Sequence, residues 1–431
     1  MSRICSFSVF LAIGLFFPLC LGAAPASLTL DEVLQQGINS NLELKRNLID
    51  LSIAEYSKSK LWAEVFPAIS ASVGITYASP LFSGDPLDPR VTSTGGNARL
   101  GLNLDLNAGI PHTMKNIRLA YQSRLLDYND AKNQLEIQIT KTFYSLIAES
   151  QNVSVLDDMF KSAQLLYERN QVAFRNGLVN ELTLMQSRLG MENARYSLSV
   201  ARSVYVNHME DFLTQICITY SEDTVFDGKI EITKVELDPF KLISEYLPQR
   251  PDVISKGFEI ERLQNFERQL TLAYKAPSIS LSTEWRSRRF SPFTDTITGS
   301  ASVNIPIDPL IPGTNRNQSV RNARLEIEKA VIDLQDTKEK AAAQIRFLAT
   351  NLKNLWDSIE IARLSQEAAE LSYELTTQGF RGGVVDSMKV EDARNDLLHA
   401  HQRLLVTELS YLNMILDISA ALNINWKEVM K

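Results

Sequence analysis

Four short stretches of this chain alternate strictly between apolar and polar residues. After Pro67, Ile69, Ala71, Val73, Ile75 and Tyr77 alternate with Ser70, Ser72, Gly74, Thr76 and Ala78. Leu100, Leu102, Leu104 and Leu106 alternate with Arg99, Gly101, Asn103 and Asp105. Farther on, Ile279, Leu281, Thr283 and Trp285 alternate with Ser280, Ser282, Glu284 and Arg286. The fourth stretch sets Ile297, Gly299, Ala301, Val303 and Ile305 against Thr296, Thr298, Ser300, Ser302 and Asn304. A period of two gathers the apolar side chains of a strand on one face. Strands are therefore predicted at about 68–79, 97–106, 278–288 and 296–305. The same alternation suits a half-buried sheet in a soluble domain and the wall of a membrane barrel.

A second pattern dominates the rest of the chain. Residues 114–176 and 314–378 contain neither Gly nor Pro, and a helix over either stretch is roughly 95 Å long. Leu135, Ile139, Phe143 and Leu146, like Leu348, Leu352, Leu355 and Ile359, step by three and four, as a helix-packing seam requires. Flanking helical stretches at 30–66 and 178–217 are each half to two-thirds as long, with 239–276 the counterpart of the first. Laid end to end, such a pair matches a long helix, and an antiparallel coiled-coil rod of about 100 Å follows.

These elements come twice. Phe174-Arg175-Asn176-Gly177 recurs 206 residues later as Phe380-Arg381-Gly382-Gly383, and the register continues as Arg188, Tyr205 and Asp211 against Arg394, Tyr411 and Asp417. So long a period marks an internal two-fold repeat of one large unit rather than a solenoid. The organisation read from the chain is a signal segment at 1–26, a first repeat at 27–217, and a connecting segment at 218–238. A second repeat at 239–424 and a tail at 425–431 complete it. Within the connector, Lys229-Ile230-Glu231-Ile232-Thr233 reads as a short strand.

Targeting narrows the choice between sheet types. Arg3, the apolar run from Phe7 to Leu21 and the small-x-small Ala24-Pro25-Ala26 form an export signal. Cys20 follows the bulky Leu19, which disfavours lipid attachment there. Cys217 is then the one thiol of the mature chain, so no internal disulfide framework supports it. The sequence after the signal has no run of about twenty apolar residues. Export, that absence and the polar second face favour membrane strands. Four strands cannot close a barrel, and an open edge in lipid leaves backbone groups unsatisfied. Several chains must then share one barrel.

With these parts in order, the chain resembles the TolC-type outer-membrane efflux proteins. The resemblance rests on the doubled strand-pair and helix unit, the Leu28-Thr29-Leu30-Asp31-Glu32-Val33-Leu34 opening, the helix-to-strand junctions at Pro67 and Pro277, and the Phe-Arg-x-Gly turns. It implies a mainly α fold with a four-stranded membrane sheet per chain. In a homotrimer these sheets give a 12-stranded β-barrel in outer-membrane lipid above a long helical barrel in the periplasm. It further implies a passive exporter of small molecules, drugs or secreted polypeptides, served by a periplasmic adaptor protein and an energised inner-membrane transporter. The repeated turns then form the periplasmic tip, with Phe174, Arg175, Gly177, Asn180, Phe380, Arg381, Gly383 and Asp386 as the docking surface. Many family members carry Asp at the position of Lys389. Here Met388-Lys389-Val390-Glu391-Asp392 moves the acidic candidates for the aperture to Asp386, Glu391 and Asp392, beside Arg381 and Lys389.

Residue chemistry agrees with transport. Gly177 and Gly383 suit a left-handed helix end, Asn180 and Asp386 suit N-caps, and Arg175 and Arg381 sit where a helix C-terminus favours cations. Arg99, Asp105, Glu284 and Arg286 fall on the polar strand faces and so on the lumen, while Tyr77, Phe82, Trp285, Phe290 and Phe293 near strand ends read as an aromatic girdle. The chain has no phosphate loop, HExxH or GxSxG, and His399 and His401 point to different helix faces. No enzyme, cofactor or metal site is expected, and a net charge of −7 without a basic cluster gives no nucleic-acid footprint. The competing reading is a coiled-coil scaffold without a pore.

Overall fold

The computed structural model describes residues 27–78, 93–219, 221, 224–289, 294–307 and 313–429. The signal segment with Cys20, and Phe82, Phe290 and Phe293, lie outside these. The uninterrupted stretches form single helices, α3 (Ile110–Arg175, 66 residues) and α7 (Asn315–Arg381, 67 residues). Each is about 100 Å long. Helix α4 (Glu181–Gln215) folds back along the distal half of α3, and α8 (Ser387–Leu422) along that of α7.

The shorter stretches are broken rather than continuous. Residues 30–66 divide into α1 (Leu30–Ser40), α2 (Leu42–Ser59) and a 3-10 turn at Leu61–Val65. Asn41 causes the break, because its side-chain oxygen accepts from the Leu44 backbone N–H at 2.8 Å and starts a new helix. Residues 239–276 divide into α5 (Pro239–Tyr246), a 3-10 turn at Leu247–Gln249 and α6 (Pro251–Lys275). There Pro248 and Pro251 lack the N–H that a continuous helix needs.

The predicted strand at 229–233 is displaced. The short strand β4 is Val225–Asp227, and it pairs in parallel with β1 (Ser27–Thr29). Residues 229–237 carry no ladder. Ile230 and Ile232 still turn towards the core, and the Tyr411 hydroxyl anchors the backbone. It donates to the Thr233 carbonyl at 2.9 Å and accepts from the Val235 N–H at 3.0 Å.

The core lies where this connector wraps the middle of the long helices. Ile139, Phe143 and Leu146 of α3 pack with Leu28, Val33, Leu213 and Phe226; Leu352 and Ile359 of α7 pack with Tyr411, Ile415 and Leu422. By length and composition α8 is apolar enough to cross a membrane. Its apolar C-terminal half is instead core, with Tyr411, Leu412, Ile415 and Leu416 each at most 1% exposed.

Strands β2 (Ala68–Ala78), β3 (Ser93–Leu106), β5 (Ser278–Arg289) and β6 (Thr294–Asn304) form one antiparallel sheet in the order β2-β3-β5-β6. The register aligns the alternation across strands. Ala71, Leu100, Trp285 and Ile297 form one cross-strand row, and Ile69, Leu102, Thr283 and Gly299 another. On the other face, Ser72, Arg99, Arg286 and Thr296 lie in line. Both faces are open in the single chain: Val73 is 85%, Ile75 81% and Ile297 76% exposed on the apolar side, and Ser72, Arg99, Asn103 and Asp105 are exposed on the polar side. Along β5 the polar positions 278, 280, 282, 284 and 286 are the less exposed set. A soluble half-buried sheet would have its apolar face covered.

Candidate functional site

Two turns lie at the far ends of α3 and α7. Gly177 and Gly383 have φ of 69° and 74°, a region costly for side chains with a Cβ. The Gly177 N–H bonds to the Phe174 carbonyl at 2.9 Å, and the Leu178 N–H to the Ala173 carbonyl at 2.8 Å. Gly383 bonds to Phe380 at 3.0 Å and Val384 to Gly379 at 2.9 Å in the same way. This paired bonding is the Schellman helix end, with Phe and Arg as its last two helical residues. The shared Phe-Arg-x-Gly thus has one backbone geometry in both places. Phe174, Arg175, Arg381, Leu178 and Val384 are exposed.

The caps that follow differ. Asn180 caps α4, accepting from the Thr183 N–H at 2.8 Å and the Thr183 hydroxyl at 2.9 Å. Asp386 occupies the N-cap position of α8, but its side chain makes no cap bond. It accepts instead from the adjacent Ser387 hydroxyl at 3.2 Å, which departs from the expected cap. Asn180→Ala is therefore expected to cost about 1 kcal/mol and Asp386→Ala much less. Hydrogen exchange in the first turns of α4 and α8 checks this; equal loss of protection at both ends contradicts it.

The aperture candidates do not form one cluster. Arg381, Asp386, Lys389 and Asp392 are exposed. Glu391 is turned inward: Arg394, 6% exposed, donates to it at 3.1 Å, and its carboxylate lies against the Cα of Gly190 on α4. A Cβ at position 190 would collide with that carboxylate, so this glycine permits the two hairpins to touch near the tip. Arg188, the sequence counterpart of Arg394, is exposed.

At the opposite end, the four strand residues assigned to the polar face do share it. Glu284 accepts from Arg286 at 3.0 Å and lies 3.7 Å from Arg99. Asp105 accepts from the hydroxyl of Ser280 at 2.6 Å and the amide of Asn103 at 2.7 Å. Tyr77 and Trp285 are exposed on the apolar face.

One charged network escaped the sequence reading. The Arg250 side chain, 10% exposed, donates to both Asp252 oxygens at 3.0 and 2.8 Å, to the Ala421 carbonyl at 3.0 Å and to Gln344 at 3.2 Å. Desolvation pulls the Asp252 pKa up, but the Arg250 hydrogen bonds and charge bring it below the ordinary value. Asp130 is raised by desolvation first, then by the charges of Asp252 and Asp127. Nothing in the sequence placed Gln344 or Ala421 beside Arg250 and Asp252.

Residues 242–423 match the outer membrane efflux protein family. The chain is 23% identical over 407 residues to the probable outer membrane lipoprotein SilC of Salmonella typhimurium, covering 91% of this chain and 85% of that one. It is 20% identical over 409 residues to the cation efflux system protein CusC of Escherichia coli O157:H7, covering 92% and 86%. Its fold is similar to the crystal structure of the Campylobacter jejuni CmeC outer membrane channel, with a TM-score of 0.75, 19% identity and coverage of 91% and 85%. In its mostly helical fold with a small sheet the chain is similar to these outer-membrane channels, and its second half, residues 242–423, carries the match to the outer membrane efflux protein family.

Proposed function

We propose that this outer-membrane protein is a passive channel-tunnel, built as a homotrimer from chains that each hold two copies of one unit, 27–217 and 239–424. Its barrel of twelve strands crosses the lipid, and its helices carry the path through the periplasm. A periplasmic adaptor protein docks at the tip, at Phe174, Arg175, Gly177, Asn180, Phe380, Arg381, Gly383 and Asp386, and an inner-membrane transporter supplies the energy. Arg381, Asp386, Lys389, Glu391 and Asp392 line or control the aperture; Arg99, Asp105, Glu284 and Arg286 face the barrel lumen. The cargo is small molecules, drugs or secreted polypeptides.

The observation that carries this reading is the sheet, with an uncovered apolar face and two open edges. The edge strand β2 continues from α2, and the edge strand β6 leads towards α7. In the helical layer α3 packs between α2 with α4 on one side and α6 with α8 on the other, and α7 packs beyond α6 and α8. Sheet and helices therefore share the same two edges. One head-to-tail joint between copies satisfies both, and such a heterologous joint gives a ring when its rotation closes. A scaffold without a pore has no use for that coincidence.

The purified protein is expected to run as a trimer in detergent and to conduct weakly in planar bilayers, with higher conductance for Arg381→Ser. A stable monomer, or no current from wild type and tip variants alike, contradicts the channel.

A further inference from the structure

The distal halves of α4 and α7 leave apolar seams uncovered. On α4, Leu182, Met185, Leu189 and Tyr196 are all more than half exposed; on α7, Ile361, Leu364, Leu371 and Leu375 are as well. Both sets step by three, four or seven. Heptad a and d positions therefore fall at 182, 185, 189, 192, 196 and 199 on α4, and at 361, 364, 368, 371, 375 and 378 on α7.

Glu192 interrupts the α4 seam at one d position, and beside the seams charge sits at one position only. Immediately before each a position of α4 come Glu181, Arg188, Arg195 and Arg202. The same g position of α7 holds Glu360, Glu367, Glu374 and Arg381. The e positions, 186, 193 and 200 against 365, 372 and 379, are all uncharged.

We infer that α4 of one copy and α7 of the next form an antiparallel coiled coil, in the register that layers Leu189 on Leu371 and Met185 on Leu375. In an antiparallel pair a faces d, and g faces g. This register sets Glu181 against Arg381, Arg188 against Glu374, Arg195 against Glu367 and Arg202 against Glu360. Each step of seven up one helix is a step of seven down the other, and all four pairs have opposite sign, including the one in which the order of charges reverses. The register also puts the two tip turns at the same height, since α4 begins at Glu181 and α7 ends at Arg381. Within one chain α3 and α8 lie between the two seams, so the partner is a second copy.

Some of these side chains already have local partners. Arg195 lies 2.7 Å from Glu192, Arg202 donates to Asp157, and Glu360 accepts from Trp356. Exposed pairs of this kind are worth little each; the apolar seam supplies the attraction, and the charges choose partner and register.

The inference rests on the head-to-tail ring, and its test separates the two. The test protein is the full chain carrying Cys217→Asn. Asn suits that position because Cys217 and its counterpart Asn423 both end their helices at positive φ, 55° and 56°. Leu189→Cys with Leu371→Cys places both thiols in one layer; Leu189→Cys with Leu364→Cys separates them by seven residues, about 10 Å. Under mild oxidation in membranes, the matched pair is expected to give a covalent trimer on a non-reducing gel, and the offset pair monomer. Glu367→Arg should lower the matched yield, and Arg195→Glu with Glu367→Arg should restore it. A detergent trimer with no preference for the matched pair overturns the seam and leaves the channel standing. A covalent product that stops at dimer overturns it as well. A monomer by size in detergent removes both.

Discussion

Val73→Arg is expected to abolish assembly in the membrane, while Thr298→Arg leaves it intact. Both substitutions add the same side chain to the same sheet. Val73 lies mid-strand on the apolar face and is 85% exposed. Thr298 pairs with Glu284 on the polar face, where an arginine gains an opposite charge. A cation against lipid near the middle of a barrel costs about 2–4 kcal/mol. Three copies together cost about 6–12 kcal/mol, at least four orders of magnitude in the assembly equilibrium. A cation towards an aqueous lumen carries no such cost. The measurement is the fraction of each variant recovered from outer membranes as a trimer stable in mild detergent. Equal recovery of the two variants rules out a lipid-facing apolar side; loss of both points to a sheet covered on both faces by protein.

That contrast was legible in the sequence only as far as alternation goes. Period two at Ile69 to Tyr77 defines two faces and does not say which is covered. The structure adds that nothing in the same chain covers the apolar side, where Val73, Ile75 and Ile297 lie open. Alternation misled once. Ile230 and Ile232 turn inward at every second residue as a strand's would, yet no neighbouring strand bonds to them. Tyr411, 178 residues along the chain from Thr233, holds that backbone, and no local pattern announces such a partner.

The tip was more legible because its causes are local. Gly177 and Gly383 follow from helix ends that need positive φ, and Asn180 from a helix start that needs an acceptor. Asp386 failed as a side-chain cap through a single neighbour: Ser387 offers its hydroxyl where the first copy has Glu181. The inward turn of Glu391 depends on Arg394 and on the missing side chain of Gly190, four helices earlier in sequence. The coiled-coil heptads could be counted from sequence alone. Recognising them as edges needed the packing order of the helices.

The Arg250 network gives the second large effect, and its size changes with pH. Arg250→Met removes one buried guanidinium that joins the start of α6 to α7 at Gln344 and to the end of α8 at Ala421. Breaking a buried pair from one side costs 3–5 kcal/mol when the remaining charge stays buried. Asp252 keeps solvent contact, at 43% side-chain exposure, so the expected loss at neutral pH is about 3 kcal/mol, the low end of that range. In the wild type the depressed Asp252 adds stability above the ordinary carboxylate pKa of about 3.9, and that stability is lost as pH falls through its lower folded value. Without Arg250, desolvation raises Asp252, and desolvation with the charges of Asp252 and Asp127 raises Asp130 further, since Arg250 lowers both in the wild type. A raised carboxyl penalises the folded state at neutral pH, and protonation relieves that penalty as pH falls from 7 towards the ordinary carboxylate range. The variant should therefore regain stability between neutral pH and about pH 5, where the depressed Asp252 of the wild type is still ionised and contributes no change. Helix unfolding followed by circular dichroism in detergent, at both pH values, reads the difference. A variant as stable as wild type at neutral pH, or one that loses further stability on acidification, contradicts the assignment of Arg250 as the charge that holds the two carboxylates.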